Sequence, residues 1–301
     1  MEREILSHLP IVTSVARLGG FAAAAASLNM SPSAVSHAVR AVEKQLGEPL
    51  FARTTRSVRL TEAGSRFLAS VGPALEEIEK AAESLSAGRG EVTGVLRINA
   101  SRVAALMALM PILKNLARLH PRLIVEAHIQ DGFVDIVAEG FDAGIRLGEA
   151  VQQDMVRVRL TPPFQAIMVA SPEYLAARGE PKTLTDLSTY NCIGFRLLSS
   201  GGLYKWHVTD ADQQVAVKTT GTAVITDATF AREFALEGIG IAYIFEPLVR
   251  ADIREGRLRW VLPQASLPEE GLFLYFPRRA ALAPKLRAFV DVARSAMALS
   301  S

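Results

Sequence analysis

The sequence has 301 residues, half of them hydrophobic, and a formal net charge of only +2. A chain of this length holds one small domain and one or two larger ones, and its single cysteine excludes an internal disulfide or a thiolate metal cluster. It begins without a signal-peptide pattern and contains no run of about 18 apolar residues, so we expect a cytoplasmic protein that does not enter a membrane.

The first 47 residues predict three helices in a helix-turn-helix arrangement. An amphipathic helix over residues 5–18 ends at two glycines, and a short alanine-rich helix covers residues 21–28. Ser31 is placed to cap a third helix, Pro32 suits its first position, and Gly47 can take the left-handed conformation that ends it. The second and third helices, joined by a brief turn, match the motif that sets a recognition helix into the major groove of DNA.

The third helix has one polar face and one apolar face. At about 100° per residue, its apolar side chains fall on the side opposite a polar stripe, so the polar stripe is free to contact DNA. His37 lies on this stripe, and we favour a base or phosphate contact over an ordinary exposed surface histidine. The stripe consists of Ser33, Ser36, His37, Arg40 and Lys44.

Residues 50–60 alternate between apolar and polar side chains, which predicts a small β-hairpin, or wing. Arg53, Arg56 and Arg59 would project from it. For Arg56 we favour insertion into the minor groove over a solvated turn residue, whereas Arg53 and Thr54 either bind phosphate or hold the wing together. Residues 1–66 carry eight basic and five acidic side chains, a modest excess that is compatible with DNA binding.

A long helix is predicted over residues 61–86, with a linker at residues 88–90. Its apolar residues recur at alternating steps of three and four, which is a heptad pattern and favours a dimerisation helix, bent at Gly72-Pro73. The alternative is a helix that packs on its own domain. The seam residues are Leu68, Val71, Leu75, Ile78, Ala82 and Leu85.

From Val92 onward, strands alternate with helices, which predicts an α/β domain with a mainly parallel sheet and a ligand site at the carboxyl ends of its strands. The predicted strands cover residues 95–100, 123–129, 143–147, 165–170, 223–226, 240–244 and 272–276; the predicted helices cover 107–119, 133–139, 230–237 and 284–298.

Over essentially its whole length the chain resembles a LysR-type transcriptional regulator. The specific residues are Phe21, Ala24-Ala25, Leu28, Ser31, Ala34-Val35-Ser36, Glu43, Leu46-Gly47, Leu50-Phe51, Arg53-Thr54, Arg56 and Leu60-Thr61-Glu62-Ala63-Gly64 in the first domain, and 142–148, 237–242 and 288–290 in the second. The resemblance implies a multidomain α+β protein: a winged helix-turn-helix (1–60), a long linker helix for dimerisation (61–90) and a two-lobed α/β effector domain (91–301) similar to type 2 periplasmic binding proteins. Lobe one would cover about 91–163 and 269–301, and lobe two about 164–268.

The resemblance also implies a set of DNA-binding positions. Pro32 stands where the family often has a glutamine, so base choice would depend on Ser33, Ser36, His37 and Arg40. The full predicted set is Ser31, Pro32, Ser33, Ser36, His37, Arg40, Arg53, Thr54 and Arg56.

The predicted effector site lies between the two lobes. Ser101, Arg102 and Val103 follow the first strand of the second domain, where such a site is expected; the resemblance adds Arg146, Ser199, Ser200, Gly201, Thr226, Asp227 and Phe245. Arg102, Arg146 and Arg196 would favour an anionic ligand, although each could instead form a surface or interlobe ion pair. For Asp227 we favour a helix N-cap.

The predicted function is therefore sequence-specific transcriptional regulation controlled by a small-molecule effector. The expected partners are double-stranded DNA with a partly palindromic site, the effector, further copies of the chain as a homodimer or tetramer, and RNA polymerase. A solute-binding module whose N-terminal helices serve only assembly is the second hypothesis. An enzyme is the third, but no catalytic motif, metal-ligand spacing or cofactor motif is present, and Cys192 is expected to be a buried strand residue.

Overall fold

The structure is a computed structural model that describes residues 3–53, 58–87, 92–132, 134–148, 155–198, 200–211 and 213–298. It divides the chain into two compact units, Met1–Glu91 and Val92–Ser301.

The described residues of the N-terminal unit form four helices and a two-stranded antiparallel hairpin. The prediction of a helix that begins after Ser31 and ends at Gly47 is confirmed: the backbone N–H of Ala34 donates to Oγ of Ser31 at 3.1 Å, and Gly47 has a φ of 74°. The elements are α1 (Arg3–Leu18), α2 (Phe21–Ser27), α3 (Pro32–Leu46), β1 (Phe51–Arg53), β2 (Val58–Leu60) and α4 (Glu62–Ala87).

Two side chains fix the turns that follow α3. Oε1 of Glu43 accepts hydrogen bonds from the backbone N–H groups of Leu50 and Phe51, at 2.9 and 3.1 Å. Oγ1 of Thr61 donates to the carbonyl of Pro49 and accepts from the N–H of Gly64, at 2.6 and 2.9 Å, which caps the start of α4. Because these bonds tie β1 and α4 to the segment that follows α3, the hairpin is held beside α3.

The C-terminal unit is built around two sheets. The first has the order β4–β3–β5–β15–β6; β3 is parallel to β4 and β5, whereas β15 is antiparallel to β5 and β6. We call the part around this sheet lobe one. Its strands are β3 (Gly94–Ala100), β4 (Leu123–Ile129), β5 (Ala143–Leu147), β6 (Met155–Arg159) and β15 (Leu272–Pro277), and its helices are α5 (Arg102–Ala104), continued by a π-helical segment (Ala105–Leu109) into α6 (Met110–Leu119), and α10 (Pro284–Ala298).

The second sheet defines lobe two. Its central strand β7 pairs antiparallel with β12, β13 and β14, and alternate residues of β7 face two separate apolar cores. The elements of lobe two are β7 (Phe164–Ala170), α7 (Pro172–Arg178), β8 (Gly194–Phe195), β9 (Trp206–Asp210), β10 (Gln213–Val217), β11 (Val224–Ile225), α8 (Phe230–Leu236), β12 (Ala242–Phe245), α9 (Glu246–Arg254), β13 (Arg259–Val261) and β14 (Leu267–Glu269).

The chain crosses between the lobes twice, from β6 to β7 and from β14 back to β15. The two crossings run side by side, because Phe164 and Glu269 are partners in the β7–β14 ladder and the N–H of Leu272 donates to Oγ1 of Thr161 at 2.9 Å. Gly271 has a φ of +111°, and a Cβ there would lie 2.9 Å from the carbonyl oxygens of Thr161 and Pro162. The close approach of the crossings therefore requires glycine.

Two predictions about this unit are wrong. The five-stranded sheet is mixed and the sheet around β7 is antiparallel, so neither is mainly parallel; pairing direction depends on contacts between distant segments that local patterns do not report. Residues 136–140 form a turn, with the N–H of Phe141 donating to the carbonyl of Ile136, and not the helix predicted over 133–139. Within the described ranges, no helix is both long enough and apolar enough to cross a membrane.

Candidate functional site

The outer face of α3 is polar and exposed. Val35, Ala38, Val39 and Val42 are buried in the core of the N-terminal unit, which leaves the predicted stripe on the opposite side. Ser33, His37, Arg40 and Lys44 are exposed and Ser36 is half-buried, and Oγ of Ser33 lies 2.9 Å from Oγ of Ser31. Such a row of donors on an exposed helix face can reach base edges and phosphates.

Only part of the predicted site on the wing lies within the described residues. Its strands β1 and β2 are paired as predicted, and Arg59 on β2 is exposed. Thr54 and Arg56 lie outside the described residues, and only the backbone of Arg53 is described.

A cavity of about 260 Å³ lies between the lobes of the C-terminal unit. Val103 and Leu147 line it from lobe one, and most of the remaining wall comes from lobe two. Glu269, in the strand that leads back to lobe one, is the one charged side chain among its described lining residues. The other lining residues are Ile193, Phe195, Leu197, Tyr204, Trp206, Ile225, Ala228, Ala231, Tyr243, Ile244 and Phe245.

Aromatic rings form the most extended part of this wall. Trp206 and Tyr243 are stacked with ring centroids 5.5 Å apart and planes 19° apart. Tyr204 stacks on the same tyrosine at 6.5 Å and meets Phe195 edge to face at 6.4 Å. The hydroxyl of Tyr243 donates to the carbonyl of His207, so this ring is fixed in place at both its face and its tip.

Arg146 is buried outside this lining. Its guanidinium donates to Oδ1 of Asn99 at 2.5 Å and to the carbonyls of Ile145, Gln130 and Gly132 at 2.8, 3.1 and 3.2 Å. Burial lowers the pKa of Arg146, and the nearby Tyr275 and Asp131 oppose that shift. These bonds join the carboxyl ends of three parallel strands of lobe one.

Arg102 and Asp227 form an ion pair between the lobes. Nε of Arg102 lies 2.8 Å from Oδ2 of Asp227, and the two side chains are 50% and 20% exposed. The other carboxylate oxygen of Asp227 accepts from the N–H and hydroxyl of Thr229, at 3.0 and 2.6 Å. The expectation that Asp227 caps the next helix is wrong in position, because Thr229 is the residue that precedes α8.

The other predicted effector residues are scattered around the cavity. Ser101 caps α5 through Oγ, and Val103 and Phe245 line the cavity. Nη1 of Arg196 donates to the carbonyl of Gly201 at 2.8 Å, and Ser200 is exposed. Thr226 follows β11, next to Ile225 in the wall, and Ser199 lies outside the described residues.

Of the described lining residues, sequence reasoning predicted only Val103 and Phe245; among those it missed are Tyr204, Trp206, Tyr243 and Glu269. The three aromatic residues belong to separate segments around β9 and β12, and no spacing connects them. The local aromatic content of residues 203–207, which lie in none of the predicted strands or helices, is the signal that could have indicated this part of the wall.

Cys192 is buried, as predicted, and forms an isolated bridge with Ile241. Burial raises the pKa of its thiol to about 12, and Sγ contacts the carbonyl of Leu187 at 3.7 Å. The thiol is therefore protonated and enclosed at neutral pH, unlike a reactive cysteine.

The heptad seam on α4 has two parts. Leu68 packs against the core of its own unit, and Val71 and Leu75 are half-buried. Ile78 is 65% exposed, whereas the side chains of Ala82 and Leu85 are not described. Along the described part of the seam, the side chains thus change from an internal contact at Leu68 to an exposed position at Ile78.

The two units match two family models. The model of the LysR substrate binding domain matches residues 89–298, and that of the bacterial regulatory helix-turn-helix protein, lysR family, matches residues 6–65. A putative transcriptional regulator of Pseudomonas aeruginosa is 38% identical over 98% of this chain and 96% of its own length. The regulator YcaN of Escherichia coli K12 is 37% identical over 96% of this chain and 95% of its own.

Two solved structures are similar to nearly the whole chain. CrgA, a LysR-type transcriptional regulator from Neisseria meningitidis, has a TM-score of 0.62 and 28% identity, covering 96% of this chain and 98% of its own. The full-length virulence activator AphB of Vibrio cholerae has a TM-score of 0.61 and 22% identity, covering 99% of this chain and 100% of its own, and supports the fold alone.

Proposed function

The chain belongs to the LysR family of bacterial transcriptional regulators, and we propose that it reads DNA with the polar face of α3 under the control of a ligand bound between the lobes. As a member of this family it is a DNA-binding regulator with a substrate-binding domain, and it is not an enzyme. The exposed row of Ser33, His37 and Arg40 is the observation that supports the DNA-reading face.

The proposal for assembly rests on α4. Ile78 presents an apolar side chain at 65% exposure on a helix with a heptad pattern, which favours pairing with α4 of a second copy. A homodimer places two recognition helices on one duplex, so we expect a partly palindromic site. Tetramer formation and contact with RNA polymerase belong to this proposal as further assembly steps, in the cytoplasm where bacterial DNA lies.

The proposal for control rests on the interlobe cavity. It is concave, mostly apolar and lined from both lobes, which are the properties of a small-molecule site. A ligand that prefers one arrangement of the lobes would shift the population toward it. None of the three arginines on which the expectation of an anionic ligand depended is among the described lining residues, so that expectation has no support in this cavity.

The DNA-reading face is tested by selecting a binding site from random duplexes with the wild-type chain and measuring affinity for that site and for a shuffled one. Replacing His37 or Arg40 by alanine removes a base contact, so we expect each variant to lose about 1–3 kcal/mol, roughly five- to 150-fold, for the selected site. Circular dichroism checks that the helices remain.

Arg118→Ala is the matched control, because Arg118 is exposed on α6 of the other unit and its loss removes the same charge. Equal affinities of wild type, His37→Ala and Arg40→Ala for the selected site would refute the assignment of this face. Failure of the wild type to prefer any sequence would favour the solute-binding hypothesis instead.

A further inference from the structure

We propose that Arg102 and Asp227 form a clasp that holds the two lobes together and controls access to the interlobe cavity. The clasp is the ion pair itself, in which Nε of Arg102 in lobe one lies 2.8 Å from Oδ2 of Asp227 in lobe two. This inference goes beyond the proposed function, because it concerns the opening of the cavity and is tested without DNA and without an identified effector.

The clasp lies at the edge of the cavity. Val103, the residue after Arg102, lines the cavity from lobe one, and Ala228, the residue after Asp227, lines it from lobe two. The chain itself connects the lobes at the two crossings, which are held side by side. A movement of the lobes that opens the cavity between Val103 and Ala228 therefore has to break the clasp.

Each partner of the clasp is held by its own lobe. The backbone N–H of Arg102 donates to Oδ1 of Asp131 at 2.8 Å, which fixes the start of α5 in lobe one. Oδ1 of Asp227 accepts from the N–H and the hydroxyl of Thr229, which leaves Oδ2 for the guanidinium. Ordering two flexible side chains opposes the formation of an exposed ion pair. Because this carboxylate is already oriented, more of the attraction remains to hold the lobes together.

The expected strength of the clasp makes it a reversible contact. Its side chains are partly exposed, so water and salt screen the pair, and a pair of this kind changes an equilibrium by about two- to fivefold. Such a contact favours the closed arrangement without preventing the opening that a ligand needs to enter the cavity. Loss of either charge should therefore raise the ratio of open to closed molecules by this factor.

Ile193→Cys provides a reporter of opening. Ile193 lines the cavity from lobe two and is 3% exposed, so a thiol at this position reacts with a maleimide when the lobes separate. When the lobes close faster than the thiol reacts, the labelling rate is proportional to the ratio of open to closed molecules. The wild-type chain is the blank, because Cys192 is buried and burial raises the pKa of its thiol to about 12.

A double-mutant cycle in this background tests the clasp: Arg102→Gln, Asp227→Asn and both together. We expect each single change to raise the labelling rate about two- to fivefold. The double variant should label no faster than the single variants, because its second change removes a contact that is already lost. An unchanged rate in the single variants would overturn the proposal. Single effects that multiply in the double variant would also overturn it, because the two residues would then act separately.

Glu246→Gln is the matched control for the cycle, because it breaks an ion pair of similar exposure within α9 of lobe two. It should label at the rate of Ile193→Cys alone, and circular dichroism checks that every variant remains folded. An increase equal to that of Asp227→Asn would contradict a special role of the pair between the lobes.

Salt provides a second test that leaves the clasp residues unchanged. Raising the salt concentration from about 0.1 M to 1 M shortens the Debye length from about 10 Å to about 3 Å and weakens an exposed pair. We expect the labelling of Ile193→Cys to accelerate, and this acceleration to be lost when Asp227→Asn is also present. Equal acceleration in the two proteins would place the effect of salt outside the clasp and refute the proposal.

Discussion

Three arginines that the sequence assigns to one anionic site have three different environments. Arg102 is half-exposed and paired with a carboxylate of the other lobe, and Arg196 is exposed near a loop carbonyl. Arg146 is 7% exposed, and its Nη1 and Nη2 groups donate to four oxygen atoms of the protein. Residue type alone therefore does not locate an anion site; the partner of each guanidinium decides whether it is available.

The environment of Arg146 predicts a structural role. Arg146→Lys keeps the charge but replaces a planar group that reaches four oxygen atoms with an ammonium that cannot reach them all, so we expect a loss of about 2 kcal/mol in the free energy of unfolding. Urea unfolding of the full chain, followed by circular dichroism, measures this loss. Arg118→Lys, at an exposed position, should leave stability unchanged.

The opposite result would be a free energy of unfolding for Arg146→Lys equal to that of the wild type. That outcome would contradict the structural role of Arg146.

At the scale of helices and strands, local sequence signals such as caps and alternation were sufficient to predict some elements. The Ser31 cap, Pro32 and Gly47 gave α3 correctly, and the alternation in 50–60 gave the hairpin. α7 carries the same kind of signal, with Ser171 as its cap and Pro172 at its first position, but the sequence analysis predicts no helix there.

Features that depend on distant contacts could not be obtained in this way. The antiparallel pairing of β15 with β5 joins segments about 125 positions apart, and no local pattern specifies its direction. The cavity wall combines β8, β9 and β12, so its aromatic character emerges only from the fold. The predicted effector residues accordingly included Val103 and Phe245 but omitted the stacked rings.

The element that bears most directly on assembly is α4. Ile78→Glu places a charge in the open part of its apolar seam, and burying that charge against a second copy is costly, so we expect the variant to sediment as a monomer where the wild type is a dimer. Sedimentation velocity distinguishes the two states.

Ala69→Glu is the control for this substitution, because position 69 is exposed and lies about 180° around an ideal helix from position 78. It should leave the dimer intact. Dimers of undiminished stability in Ile78→Glu would exclude this seam as the interface.

At the scale of the whole effector unit, the Arg102–Asp227 pair is a contact that closes one lobe on the other. An exposed pair of this kind contributes at most about 1 kcal/mol. Asp227→Asn removes the charge, so we expect the free energy of unfolding to fall by up to about 1 kcal/mol, measured by urea unfolding of the full chain.

Glu246→Gln breaks a comparable pair within α9, where Nη2 of Arg250 lies 2.7 Å from Oε2 of Glu246 and the exposures are 58% and 19%. It does not join the lobes, so we expect a smaller loss of about 0.3–0.5 kcal/mol in the free energy of unfolding. Equal losses in both variants would mean that the interlobe position of Asp227 has no special effect.

The side-by-side crossings make lobe two a single inserted segment whose entry and exit meet at Phe164 and Glu269. Most of the cavity wall lies within that segment, whereas the polar face of α3 lies more than a hundred residues earlier. The residues proposed to bind the effector and those proposed to bind DNA are therefore encoded in separate stretches of the gene. A mutation can change one set of residues and leave the other unchanged.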